Sequence, residues 1–402
     1  MQLPRELITY AQAPTLRRVC KELSYEFDAT VESLVIPTRP YLLSARSAAK
    51  FFRRLTKLKK LSIYVSLNNT WIDVVFMQAI ARIPIEDLTM WSLTSHQLLT
   101  ISRCCSQLKK LSFNPVESLT TPMNMWPYNE LLELELRECG THLSSLSILV
   151  RLSQLTSLQC TSINFPRAQT GLSSGPERLL KLSLSECSIH PSWLQSTIPS
   201  LTELDIGDLV VGQVIDTSDL LIGFPSLQSL KSMQYISGDI NKLSMLKSLH
   251  LSVVSATSPI MLTVLQQLTS LFIQQSWPYE SGHPDTILTA FSSTLTTLQH
   301  LQLYGSYHYF ANYYSFSDTT TYGLLNAFTG NNNIKILTLG LLYDSINCTT
   351  VSALMKEMPG LAKLHLDKCC LKEEMDDFMA LERPTRVELM IQCHDTHDDD
   401  AW

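Results

Sequence analysis

The chain has 402 residues, 45% of them hydrophobic and 17% charged, with a formal net charge of −6. A balance that modest leaves no electrostatic footprint for a general nucleic-acid binder, and no stretch approaches the roughly eighteen consecutive apolar residues of a membrane-spanning helix. Charge is nevertheless uneven: residues 1–60 hold twelve Lys/Arg against five Asp/Glu, and residues 350–402 hold six against twelve. The first twenty residues mix charge with proline and contain no apolar run, so they do not read as a secretory signal. The ten cysteines then read as reduced thiols of a cytoplasmic or nuclear protein, not as a disulfide framework.

The first element in chain order is a short helical segment, residues 1–28. It contains Leu3-Pro4-Arg5-Glu6-Leu7-Ile8 and then Leu16-Arg17-Arg18-Val19-Cys20-Lys21-Glu22-Leu23. These two half-motifs resemble a compressed F-box, which opens Leu-Pro-x-Glu-Leu and closes on a leucine-led helix ending Val-Cys-Lys-x-Trp. Here the gap between the halves is shortened and Leu23 stands where the Trp is expected. The resemblance implies a module that docks on the Skp adaptor of a cullin–RING ubiquitin ligase. Its contacts would be Leu3, Pro4, Leu7, Leu16, Val19 and Cys20. Read from the residues alone, the same segment is a polar-topped cap, of the kind a stack of repeats needs at its end. Both readings stand at this point. Residues 44–60 (SARSAAKFFRRLTKLKK) follow, and helical spacing puts Arg46, Lys50, Arg53, Arg54 and Lys57 on one face with Ala49, Phe52 and Leu55 toward another. The segment reads as the solvated outer face of a first convex helix, whose charge would speed docking to an acidic protein. The alternative is direct contact with an acidic partner or anionic lipid.

One pattern then runs through the chain: Lxx[L]x[LI], with the bracketed leucine as marker. The markers are Leu34, Leu61, Leu88, Leu111, Leu134, Leu158, Leu182, Leu204, Leu230, Leu249, Leu271, Leu301, Leu337, Leu364 and Leu389. The fourteen intervals cover 355 residues and average about 25, inside the window of leucine-rich repeats. Alternation along a strand turns the marker and the residue two later inward, and their neighbours outward. Burying each such leucine is worth roughly 1.5–3 kcal/mol, but a single repeat cannot cover it. The pattern therefore predicts an α/β fold: a leucine-rich repeat solenoid, or horseshoe, of about fifteen repeats over residues 29–393. A parallel sheet would line its concave side, with helical or irregular returns on the convex side. Helical spacing marks the returns at 72–83, 97–107, 258–268, 284–296 and 349–358, and Pro84, Pro199, Pro225 and Pro359 end returns just before a strand. The 19 residues from Leu230 to Leu249 leave room for little more than one turn, whereas the 36 from Leu301 to Leu337 must hold an insertion. Cys139, Cys187 and Cys369 follow their strands at one position. They resemble the cysteine-containing class of these repeats, which implies buried thiols bonded to the backbone.

No nucleotide-binding, metallopeptidase or serine-hydrolase motif is present, so the sequence reads as a non-enzyme without cofactor or metal. The tail, residues 394–402, reads as acidic and disordered rather than as a metal site. What remains is surface. Outward strand positions are mixed in sign and rich in Ser, which argues for a protein partner over nucleic acid or membrane. Loop aromatics concentrate after the markers Leu271 and Leu301, and Trp277, Tyr279, Tyr304, Tyr307 and Tyr309 are the candidate partner contacts. The resemblance implies the substrate-recognition subunit of an SCF-type ligase, the alternative being a repeat scaffold without ligase connection. A GTPase-activating protein of the Ran type is disfavoured, because its post-strand Asn is replaced or absent.

Overall fold

The computed structural model describes residues 30–36, 50, 52–64, 80, 82–93, 95–115, 130–137, 152–165, 177–189, 198–207, 215–234, 236–251, 265–274, 297–304, 332–340, 348–367, 380–381 and 384–392. The half-motifs at Leu3 to Leu23, the return at 284–296, Cys139, Cys369 and the acidic tail lie outside the described residues.

The chain divides into two compact units. The first comprises Met1–Leu201 with Asp208–Val210, and the second Thr202–Gly207 with Val211–Trp402. Among the described residues seven parallel strands of the first unit each carry a marker: β1 (Ser33–Ile36), β2 (Lys60–Ile63), β3 (Asp87–Leu93), β4 (Lys110–Pro115), β5 (Glu133–Leu136), β6 (Ser157–Thr161) and β7 (Lys181–Ser185). Eight do so in the second: β8 (Glu203–Ile206), β9 (Ser229–Ser232), β10 (Ser248–Leu251), β11 (Ser270–Gln274), β12 (His300–Tyr304), β13 (Ile336–Gly340), β14 (Lys363–Asp367) and β15 (Glu388–Gln392). Within each unit every marker leucine lies beside the next, from Leu34 to Leu182 in one and from Leu204 to Leu389 in the other. All fifteen expected strands are therefore present in the expected phase.

Two forces hold this register. The first is burial: the markers from Leu34 to Leu364 are 0–5% exposed. The second is a repeated forked hydrogen bond. The carbonyl two residues before a marker accepts both N–H groups that precede the next marker, as Glu32 O accepts from Lys59 N at 2.9 Å and Lys60 N at 3.0 Å. The same fork recurs at Lys59, Glu86, Lys109, Leu132 and Thr156, and in the second unit at Thr202, Gln228, Lys247, Thr269, Gln299 and Lys335, all at 2.7–3.1 Å. It satisfies the backbone where the chain bends into each strand, so no polar group is stranded there. The final junction differs. Ala362 O accepts Glu388 N, while Val387 N turns back to Pro384 O and its side chain is buried. Leu389 is only half-buried.

Two of the five returns read as helical are helices in the described residues. Helix α1 spans Ser95–Cys104, α2 Thr217–Gly223 and α3 Cys348–Glu357, so the helices predicted at 97–107 and 349–358 exist with slightly shifted ends. Between Leu230 and Leu249 there is a single 3₁₀ turn, Ile240–Lys242. Pro359 ends α3, and the Arg386 guanidinium covers its last turn by donating to Met355 O at 3.2 Å. Asp216 starts α2, its carboxylate accepting Ser218 N at 2.7 Å.

Two expectations need correction. The basic segment is helical at Lys50 and Phe52 but passes into turns at Arg53, so Arg53, Arg54 and Lys57 do not continue a helical face. The cause is the repeat itself: Phe52, Leu55 and Leu58 are buried at three-residue spacing, and Leu58 N bonds Leu55 O at 3.2 Å to form the turn that enters β2. Likewise residues 265–268 are a turn closed by Leu268 N on Leu265 O, not the end of a helix.

Cavity cost should separate inward from outward positions. Leu301→Ala, at a fully buried marker, is expected to destabilise by about 2–5 kcal/mol. Val35→Ala, outward and 43% exposed, should stay within about 0.5 kcal/mol. Urea midpoints of the two variants check this, and equal losses would contradict the inward assignment.

Candidate functional site: the outer sheet face of the second unit

Alternation turns the residue after each marker, and the one three after it, away from the core. In the second unit these positions form a connected ladder of side chains. Lys231 on β9 holds Asp205 on β8 at 3.0 Å. Next in register comes His250 on β10, whose imidazole stacks on the Phe272 ring of β11 with centroids 3.7 Å apart and planes at 29°. Phe272 stacks in turn on Tyr304 of β12, at 5.1 Å and 27°. The Tyr304 side chain then leans over β13 and donates its hydroxyl to Asp367 on β14 at 3.0 Å.

That last step depends on one residue. Gly340 lies beside Tyr304 in the β12–β13 register and between Tyr304 and Asp367. A Cβ at position 340 would clash with the Tyr304 ring, 2.9 Å from its Cζ and closer still to Cδ1 and Cε1. Glycine is thus required here for close approach of a side chain from the neighbouring strand, not for an unusual backbone angle.

Electrostatics set the state of the ladder. Burial pushes the His250 imidazole down to about 4, with the Lys231 ammonium adding to the effect and Asp205 opposing it. At neutral pH His250 is therefore uncharged and stacks as a neutral ring. Its Nε2 is buried and makes no hydrogen bond, as does Asp205 Oδ1. From β10 to β13 the outward residues Ser248, His250, Ser270, Phe272, His300, Gln302, Tyr304, Ile336, Thr338 and Gly340 include no Lys, Arg, Asp or Glu. This floor is bordered by the Asp205–Lys231 pair on one side and by Asp367 and the Lys363–Glu388 pair, at 2.8 Å, on the other. Stacked rings pinned at one end by the hydrogen bond to Asp367 are well suited to contact another molecule, because little side-chain freedom remains to be lost on binding.

The outer face of the first unit has a different character. Tyr64 and Trp91 pack at 6.2 Å and 59°, and Trp91 is 40% exposed. Arg137 pairs with Glu135 at 2.6 Å and Lys110 with Glu133 at 3.0 Å. Ser112, Asn114 and Thr338, all read from the sequence as outward surface or standing at equivalent positions, are in fact buried. They are short side chains sunk between longer neighbours on the adjoining strands.

Of the aromatic residues singled out in the sequence, Tyr304 belongs to the ladder; Trp277, Tyr279, Tyr307 and Tyr309 lie outside the described residues. Phe272, the centre of the stack, was not among them. Its signal was available, since it directly follows the marker Leu271 and must point outward. Cys187 behaves as its post-strand position implied. Its thiol is buried, donates to Ser185 O at 3.2 Å, and is pushed by burial up to about 11, which makes it an inert structural group. Among the described residues no group of three or more His, Cys, Asp or Glu is arranged to hold a metal ion, and no helix is long and apolar enough to cross a membrane.

No family model matches the chain, and no curated protein does. Solved structures do resemble it in fold. The chain is similar to one in the mouse RP105/MD-1 complex, with 16% identity over 91% of this chain and 63% of that one, at a TM-score of 0.51. It is also similar to a Leptospira interrogans LRR protein, with 14% identity over 93% and 86% of the two chains and a TM-score of 0.47. A third similarity is to TLR13 in complex with ssRNA13, at 18% identity over 93% of this chain and a TM-score of 0.48. The chain spans about half the length of that TLR13 chain, which it covers to 52%. The fold is that of leucine-rich repeat proteins.

Two measurements test the ladder. Gly340→Ala should displace the Tyr304 ring and destabilise by about 1–3 kcal/mol. Adding Tyr304→Ala to that background should restore part of the loss, and additive effects in the double-mutant cycle would refute the contact. The folded value of His250, about 4, lies below the ordinary 6.5, so between those values the unfolded chain binds the extra proton. Stability should fall as pH drops from about 6.5 to about 4 and level off below. His250→Gln should remove that part of the pH dependence of the urea midpoint.

Proposed function

We propose that this leucine-rich repeat chain is a protein-recognition module whose own contribution is binding rather than catalysis. The observation that carries the reading is the His250–Phe272–Tyr304 stack, set in a floor without Lys, Arg, Asp or Glu on the outward sheet face and pinned at its far end by Asp367. Aromatic side chains held rigid in this way are the usual anchors of protein interfaces. The mixed charge outside the floor offers no continuous basic track for a phosphate backbone.

The N-terminal half-motifs extend the proposal. Leu3, Pro4, Leu7, Leu16, Val19 and Cys20 match the F-box pattern at its hydrophobic positions, and an F-box followed directly by repeats supports the reading of a substrate receptor for an SCF-type ubiquitin ligase. The chain would bind the Skp adaptor and, through it, the cullin. The alternative is a repeat scaffold whose first residues serve as a cap.

The two parts are tested separately on the full chain. Phe272→Ala with Tyr304→Ala, in a protein whose circular dichroism is unchanged, should weaken capture of its protein partner by about 30-fold or more, the effect of losing a hot spot worth about 2 kcal/mol. Unchanged capture would remove the sheet face from the interface. Purified Skp adaptor should co-elute with the native chain but not with a Leu3→Ala, Pro4→Ala, Val19→Ala variant. No co-elution with the native chain would leave the scaffold reading.

A further inference from the structure

The two residues that precede each marker sit at the forked hydrogen bond, where one repeat joins the next. In the first unit their charges follow a rule. Glu32 stands before β1, Lys59 and Lys60 enter β2, Glu86 and Asp87 enter β3, Lys109 and Lys110 enter β4, and Glu133 enters β5. The sign therefore alternates over five consecutive repeats: negative, positive, negative, positive, negative. The second unit has no such run. Its charged entry residues, Glu203, Lys247, Lys335, Lys363 and Glu388, are interrupted by the pairs Gln228-Ser229, Thr269-Ser270 and Gln299-His300 and put two positive repeats in succession at Lys335 and Lys363.

The register places these residues side by side, Lys60 against Asp87, Asp87 against Lys110, and Lys110 against Glu133. Contacts form in both columns. Lys109 meets Glu86 at 2.8 Å, and Lys110 meets Glu133 at 3.0 Å. The two carboxylates that enter β3 also feel the lysines on both sides. The Lys109 hydrogen bond and charge, with Lys59 beyond, hold the Glu86 carboxyl below its usual value. Burial pushes the Asp87 carboxyl up, against the opposing pull of Lys110 and Lys60.

Among the described residues, the first five repeats share the same buried leucine and the same carbonyl fork, so a strand that skipped its neighbour and paired with the following repeat would find the same backbone partners. The charges differ. Skipping one repeat would set Lys59 and Lys60 against Lys109 and Lys110, or Glu86 and Asp87 against Glu133, and like charges directly opposite on neighbouring strands are unfavourable. Isolated surface ion pairs add little stability, but discrimination between arrangements needs only a difference. We propose that the alternating charges of residues 32 to 133 encode the stacking order of the first five repeats, by penalising any pairing that omits one.

The test uses the full chain and three sets of substitutions. The first, K109E with K110E, breaks alternation by placing three negative repeats in succession. The second inverts every sign while keeping alternation: E32K, K59E, K60E, E86K, D87K, K109E, K110E and E133K. The third, K109Q with K110Q, only neutralises. At 0.1 M salt the first set should lower the folded-to-unfolded ratio by about 5-fold or more and reduce the yield of native monomer on dilution from urea. The inverted set should stay within about twofold of the native chain in both, and the neutral set should fall between. At 1 M salt, where screening acts over about 3 Å and the strands are about 4.8 Å apart, the first set should regain most of its loss. Equal losses in the first and inverted sets would overturn the proposal, since residue identity rather than alternation would then matter. So would a loss that persists at 1 M salt, or a refolding yield unchanged in both the first and neutral sets.

Discussion

Each repeat presents an apolar edge that only its neighbour can cover, and this shared burial is the constraint from which the remaining features follow. A marker leucine can be removed from water only if the next marker lies directly beside it. That requirement puts the strands parallel and in register, from Leu34 to Leu182 in one unit and from Leu204 to Leu389 in the other. The forked carbonyl bond is its polar counterpart. Burial alone would leave backbone donors unpaired at the bend into each strand, and the fork satisfies two of them with one acceptor.

With the inward positions committed to leucine, function is left to the positions that alternation turns outward. Neighbouring strands bring these within reach of one another, so residues some twenty to thirty apart in sequence become contacts. Phe272 and Tyr304 stack across two strands, and Tyr304 reaches Asp367 across three. The glycine at 340 leaves the space through which that reach is made. A repeat fold thus builds a two-dimensional surface from a one-dimensional series, and its chemistry depends on which residue each repeat places in a given column.

The two units use their columns differently. In the first, charge lines the entry to the strands and is matched between neighbours. In the second, the outward side chains from β10 to β13 include no Lys, Arg, Asp or Glu, and aromatic rings stack among them. The cores beneath are nearly alike. Specialisation therefore costs the core little, because outward side chains are not needed to bury the leucines.

The periodic leucines by themselves determined the strand at every marker, the parallel register and the buried set, because a burial pattern with a two-residue alternation and a repeat of about 25 admits few other solutions. They also determined the small structural roles: Cys187 after its strand, the single turn between Leu230 and Leu249, and the proline that ends α3. Only tertiary structure decided the ladder. Whether His250 stacks, whether Tyr304 points along its own strand or over the next, and whether Ser112 is surface or floor depend on side chains from other repeats. The basic stretch before β2 shows the same limit, since its helical spacing was overruled by the turn that Phe52, Leu55 and Leu58 must make to enter the strand. Periodicity along a chain specifies what faces inward, whereas contacts between columns depend on distances that only stacking creates.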